Sequence, residues 1–355
     1  MVGQNRKQIH RFFKKMIFFI VFLAILDVLL GRFIEIVFFL QPSGKYARLT
    51  KAINNTTADI LIFGSSHAHR HYVPSILEEA TGLKCYNAGT KGQRMIFNLA
   101  LQEVIFNHHV PKITILSIDP KFVYNDEKQY EKLSDLLPYY RKNHELRNVL
   151  YKRGPYEKYK LLSHLYPYNS TLVHIVYFYL NPQKDFSGYR PLIGNIKPHR
   201  SKYLENNNDV DDAVDAEDES LKRDIDPNSI EALEKFIANC SRYGSKLIMI
   251  VSPNFAGNGY ENDPSFNKIK GIVTQHKIPF INYSDNKMFA LNGKYFHDFQ
   301  HLNKNGARLF SHMVARQLLS IDGLAGKKNN EHISTRQNND PTSTSTATIQ
   351  QRKSI

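Results

Sequence analysis

Between Ala58 and Asp119 three short apolar runs, ADILIFG at 58–64, KCYNAG at 84–89 and KITILSID at 112–119, alternate with two stretches of helical spacing. Each run has strand length, and Gly, Ser or Pro closes it. Parallel neighbours in a sheet cannot be joined by a tight hairpin. They need a crossover, and the intervening helices supply one. A strand-helix-strand-helix-strand order therefore predicts a parallel sheet covered by helices, and the fold class expected is a three-layer α/β/α sandwich. Pro74 suits the first turn of a helix that Gly82 stops, and Phe97 to Asn107 predicts a second helix.

The same alternation resumes after a break. Ile230, Leu233, Phe236 and Ile237 share one face of a helix over Ser229–Tyr243, stopped by Gly244. KLIMIVS at 246–252 reads as another buried strand. A helix at Phe266–His276, a strand at Pro279–Tyr283 and a helix at Asn305–Ser320 follow. The domain is thus expected in two parts, 58–120 and 229–325. Between them, residues 121–228 form an insertion that holds 13 of the 20 tyrosines, from Tyr124 to Tyr203. These rings could line a saccharide groove, rest at a membrane interface or pack an irregular helical insert. The stretch ENNNDVDDAVDAEDES (205–220) is expected to be a mobile acidic loop, and 326–355 a disordered low-complexity tail.

The N-terminus sets the compartment. MIFFIVFLAILDVLL (16–30), followed after a short interruption by Ile36–Leu40, is long enough for a tilted transmembrane helix. Arg6, Lys7, Arg11, Lys14 and Lys15 precede it, and no small-residue cleavage site is evident. Residues 1–15 are expected as a cytoplasmic basic segment, 16–40 as an uncleaved signal anchor and 41–57 as a linker. The positive-inside rule then exports the remainder. Asp27, Arg32 and Glu35 weigh against this reading, since a charge at bilayer depth costs about 2.5–3.5 kcal/mol on insertion scales. The formal charge of +14 invites a nucleic-acid reading, but the cations form no stripe with interleaved aromatics. They suit a membrane surface or an anionic polymer, and no nucleic-acid partner is expected. Cys85 and Cys240 form no CxxC pair, and whether they are bonded to each other stays open.

Three motifs could carry chemistry. Gly64-Ser65-Ser66-His67 sits where the first strand ends, a position at which parallel sheets bind ligands. A serine there exposes its hydroxyl and offers its N–H to an oxyanion, although strand-end serines also cap helices. Asp298-Phe299-Gln300-His301 can fold so that the carboxylate orients the imidazole. Gly89, after the second strand, could bring a second N–H close to the serine because no Cβ blocks it. His67, His69 and His71 would share a face at strand spacing and could hold a metal; on a helix only His67 and His71 do. Solvated loop histidines, or help in binding an acyl acceptor, are the alternatives to a metal. His297 is an alternative base. No metal and no cofactor is expected.

The order of these motifs resembles the SGNH (GDSL-like) hydrolase superfamily over roughly 58–120 and 229–320. The resemblance implies Ser66, rather than Ser65, as nucleophile, Asp298 and His301 as its partners, and Ser66 and Gly89 as oxyanion donors. The family's third block, Gly-x-Asn-Asp, is absent: Ser117-Ile118-Asp119-Pro120 stands there. The anchor, the Gly-Ser-Ser form, Ser252-Pro253 and the missing asparagine make the chain most similar to the membrane-anchored branch. That branch contains the teichoic-acid D-alanyl transfer protein and polysaccharide O-acetyltransferases. It implies an O-acyltransferase of envelope polysaccharide on the extracytoplasmic side of a bacterial membrane. The partners implied are the bilayer, a membrane-bound O-acyltransferase and a hydroxyl acceptor. A carbohydrate esterase or deacetylase of the same fold, and a degenerate domain serving polysaccharide assembly, are the alternatives.

Overall fold

A computed structural model describes residues 2–196, 224–257 and 259–321. The acidic stretch 205–220 and the tail 326–355 lie outside the described residues. The chain opens with one continuous helix, α1 (Val2–Phe39), long and apolar enough to cross a membrane. From Arg6 to Leu30 its side chains are exposed apart from the half-buried Asp27, and from Gly31 onward one face turns into the domain. Phe38 is fully buried among the rings of Tyr46, Tyr139 and Tyr168. Burying a ring of this size stabilises by roughly 1.5–3 kcal/mol, so the helix end belongs to the domain.

The stretch 41–57 corrects the linker expectation. It folds as α2 (Gly44–Asn55), which buries Tyr46, Leu49, Ala52 and Ile53 along one face. The sheet elements follow: β1 (Ile60–Gly64), α3 (Ser66–His71), α4 (Pro74–Thr81), β2 (Cys85–Asn87), α5 (Met95–Phe106) and β3 (Ile113–Ser117). The insertion holds α6 (Glu127–Lys132), α7 (Leu146–Tyr151), α8 (Glu157–Lys160), α9 (Leu172–Leu180) and short 3₁₀ turns. The domain closes with α10 (Pro227–Tyr243), β4 (Lys246–Val251), α11 (Pro264–Gln275), β5 (Phe280–Asn282) and α12 (Lys304–Ser320).

The five strands lie in the order β2-β1-β3-β4-β5, and every pairing is parallel. Successive strand residues point to opposite faces, which divides the core into two layers. Leu61, Phe63, Leu116 and Met249 face α2, α5, α10 and α11, while Ile60, Ile62, Ile115 and Ile250 face α4 and α12. The three-layer α/β/α expectation matches this arrangement. Leu133, Leu136, Leu150 and Leu161 of the insertion extend the first layer toward α1. Cys85 and Cys240 are free and buried, and burial pushes the Cys240 thiol up to about 12.

This strand order has a functional consequence. After β1 the chain steps to β2 on one side and returns to β3 on the other. The switch point, where open α/β sheets place their ligands, therefore lies at the carboxyl ends of β1 and β3. Gly64-Ser65-Ser66 follows the first of these strands and Ile118-Asp119 the second.

Candidate active site

At the end of β1 the chain must turn sharply, and Gly64 makes the turn at φ +145°. A Cβ there would lie 2.6 Å from the Ser117 carbonyl oxygen and 2.8 Å from Ala68 Cβ, so the close approach requires glycine. The two serines that follow divide their work. Ser65 is the N-cap of α3, its hydroxyl accepting the His67 N–H at 3.4 Å. Ser66 is thereby released from capping and begins the helix, largely buried.

Several bonds hold α3 in place. Asn87 donates its amide to the carbonyls of Ala68 (2.6 Å) and Tyr72 (3.1 Å), satisfying acceptors at the end of the helix. The same residue accepts the Gly89 N–H at 3.0 Å. A Cβ on Gly89 would lie 2.5 Å from Ala68 Cβ and 2.6 Å from the His69 nitrogen. Gly89 thus lets β2 approach α3, and its N–H is already engaged by Asn87. An oxyanion at this N–H would compete with that carbonyl.

The Asp298–His301 segment is a compact loop. Asp298 Oδ1 accepts the N–H groups of Gln300 (2.8 Å) and His301 (2.7 Å), and Oδ2 lies 3.0 Å from His301 Nδ1. Burial pushes the Asp298 carboxyl up, but the hydrogen bond and charge of His301 and the two N–H groups outweigh it. The net result is a pKa of about 2, so the group is a carboxylate at neutral pH. With Nδ1 so engaged, His301 Nε2 is buried and has no hydrogen-bond partner among the described residues. Leaving a buried imidazole nitrogen so costs free energy; His69 Nδ1 and His71 Nδ1 share the condition, and His301 differs from them in holding a carboxylate on its other ring nitrogen. It suits a base whose partner arrives with the reaction.

His71 joins the two segments. Its Nε2 accepts the Leu302 N–H at 3.0 Å, tying α3 to the residue after His301. Burial first, then the neighbouring His67 and His301, hold the His71 pKa well below the ordinary value. His71 is therefore neutral, as an acceptor must be. The rings of His67 and His71 stack 4.9 Å apart, and His67 meets the His301 ring edge-on at 5.7 Å. His69 lies elsewhere, bonded to Arg48 of α2. The three imidazoles of α3 do not converge, and no metal-holding group of His, Cys, Asp or Glu occurs among the described residues. His297, the alternative base, engages the Ile193 carbonyl through Nδ1 at 2.9 Å.

Asp119 stands in the loop after β3. It caps the following 3₁₀ turn by accepting the Lys121 N–H at 2.9 Å, and its other oxygen lies 3.4 Å from His67 Nδ1. Asp119 thus places a carboxylate beside His67, the residue after Ser66. Sequence spacing gave no sign of this pairing or of the His71–Leu302 bond, since both join distant segments.

No protein-family model and no curated protein matches the chain. Among solved structures it is similar to a lipolytic protein of the G-D-S-L family from Desulfitobacterium hafniense DCB-2, at 8% identity and TM-score 0.36 over 72% of this chain and 97% of that one. It is also similar to the acetyl xylan esterase AlAXEase, at 11% identity and TM-score 0.33 over 74% and 98%. A third is a GDSL-like lipase from Bacteroides thetaiotaomicron VPI-5482, at 10% identity and TM-score 0.31 over 74% and 88%. At these scores the site's own residues, not the likenesses, carry the functional reading.

Proposed function

We propose that this chain is a membrane-anchored serine enzyme of SGNH type that transfers acyl groups to hydroxyls of an envelope polysaccharide. The observation that carries the reading is His301. Its Nδ1 is held by an ionised Asp298, its Nε2 is buried without a partner, and its loop is pinned through His71 to the helix that Ser66 begins.

In the proposed reaction Ser66 Oγ attacks the ester carbonyl of the acyl donor and its proton passes to His301 Nε2. Asp298 stabilises the imidazolium through Nδ1. The tetrahedral oxyanion rests on the Ser66 N–H, one of the donors that the first turn of a helix leaves open, and on the Gly89 N–H if it exchanges from Asn87. The donor alcohol departs with the proton from Nε2, leaving an acyl-serine. A sugar hydroxyl then gives its proton to His301 and attacks the acyl carbon, and the bond to Ser66 Oγ breaks as His301 returns that proton to it. Water in place of the sugar would make the reaction an esterase or deacetylase.

The apolar helix α1 supports transfer over hydrolysis, because a tethered enzyme can take acyl groups from a membrane-bound O-acyltransferase partner and pass them to a surface polymer. The same reading puts the domain on the extracytoplasmic side, with the basic residues of 1–15 inside. The occupied Gly89 N–H and the aspartate at the third block favour a second reading, a binding domain without turnover. Mass analysis of O-acyl groups on envelope polysaccharide separates the readings. Deleting the protein should lower the O-acyl content, and so should the Ser66→Ala variant. A rise would mark an esterase. Full restoration by Ser66→Ala would mark a binding component and sink the enzymatic reading.

A further inference from the structure

Asp27 lies inside the apolar run of α1, and how it is satisfied bears on where the membrane stops. Its Oδ1 accepts the Ser163 hydroxyl at 2.6 Å and the Leu165 N–H at 3.2 Å, and its Oδ2 accepts the His164 N–H at 2.7 Å. One turn further on, a Cβ at Gly31 would lie 2.4 Å from His164 Cβ, so the loop lies directly on the helix. Thirteen residues separate Asp27 from Leu40, about 20 Å of helix. Along that length Phe33, Ile36 and Leu40 remain exposed on the face the domain leaves uncovered. The lipid-facing surface of α1 therefore continues well past the level of the 163–165 loop.

The insertion is apolar where it meets that surface. Leu162, beside the loop, is 75% exposed, and Val173, Val176, Tyr177 and Leu180 form an exposed stripe at helical spacing on α9. Ile175, on the opposite face, is buried. The Tyr179 hydroxyl donates to the Val37 carbonyl at 3.0 Å and fixes α9 beside the last turns of α1. Exposed Tyr156 and Tyr159, with Lys158 and Lys160, flank the patch, the composition of a membrane interface.

We propose that residues 156–180 form a second membrane-contacting surface, with the Leu162–Leu165 loop inside the leaflet beside α1 and α9 lying at its boundary. The proposal rests on α1 spanning the bilayer. A bilayer that covers Phe33, Ile36 and Leu40 also covers the earlier level of Asp27 and Gly31, where the Leu162–Leu165 loop sits, and a carboxylate at that depth needs the shield of donors that the loop provides. Lipid is favoured over a protein partner because the patch lies beside the lipid face of α1, and the cations between them, Arg32, Arg141 and Lys142, have long stems that can carry their charge to a headgroup layer. The domain is thereby fixed in height and tilt, so the Ser66 site faces one level above the bilayer.

Nitroxides placed by Phe22→Cys, Leu162→Cys, Val173→Cys and Met288→Cys in the full chain, reconstituted in phosphatidylcholine–phosphatidylglycerol vesicles, test this. Collision with oxygen reports lipid and collision with a water-soluble nickel chelate reports solvent. Leu162 and Val173 should resemble Phe22 and show severalfold less nickel access than Met288. If Phe22 reads as lipid while Leu162 and Val173 match Met288, the surface awaits a protein partner and the proposal is overturned. If Phe22 itself reads as aqueous, the spanning reading of α1 fails and the proposal with it.

Discussion

Two adjacent serines and three near-adjacent histidines look interchangeable in the sequence, and burial and bonding give each a different task. Ser65 caps α3 while Ser66 opens it; His71 accepts from Leu302, and His69 meets Arg48. Burial, then the charges of Arg48, Arg70 and Arg190, hold His69 well below its ordinary pKa, as burial and its histidine neighbours do for His71. Because both folded-state values are depressed, protons bind the unfolded chain first as pH falls below about 6.5. Stability should be full above that value and decline below it, by up to about 1.4 kcal/mol per pH unit for each histidine, until the folded form also protonates. Thermal unfolding of the detergent-solubilised chain should show this decline. His71→Asn keeps an acceptor but cannot protonate, so it should flatten the slope. An unchanged slope would show that His71 does not contribute.

The elements set the spacing of the site to within an atom's width. The Cα of Gly89 is all that separates β2 from the start of α3, so Gly89→Ala must push Ala68 and the His69 backbone away. Overpacking of this kind costs about 1–3 kcal/mol. A displacement near 1 Å lowers catalytic rates roughly a hundredfold. Turnover of an activated acetyl ester by Gly89→Ala should fall by about that factor while the protein remains folded; retained turnover would show that α3 need not hold its place. The strands and helices of the sandwich were legible because their apolar periods are strong and Gly or Pro punctuates them. Helix α2 was not, although Tyr46, Leu49, Ala52 and Ile53 repeat at helical spacing. It follows the apolar run and ends in Asn54-Asn55, which together with Thr56-Thr57 reads as a connection. Its packing against α5, Phe38 of α1 and Tyr139 of the insertion shows that it belongs to the core.

Across the whole molecule, residues far apart in sequence determine the chemistry. The order of motifs along the chain points to Ser66, Asp298 and His301. The bond that pins their segments together spans 231 residues, and the one that seats the insertion on Asp27 spans 136 to 138. Such pairings leave no local pattern to read. The strand order, with its switch point between β1 and β3, explains why the Ser66 and Asp119 loops lie side by side at the carboxyl edge of the sheet. On the proposed reading, the insertion and α1 determine how the site stands relative to the membrane. Whether His301 activates Ser66 as a nucleophile is tested by treating the full chain with a fluorophosphonate and mapping the adduct by mass spectrometry. One phosphonylated residue is expected, Ser66, with labelling retained in Ser65→Ala and lost in both Ser66→Ala and His301→Ala. Equal labelling of wild type and Ser66→Ala, or an adduct elsewhere, would contradict it.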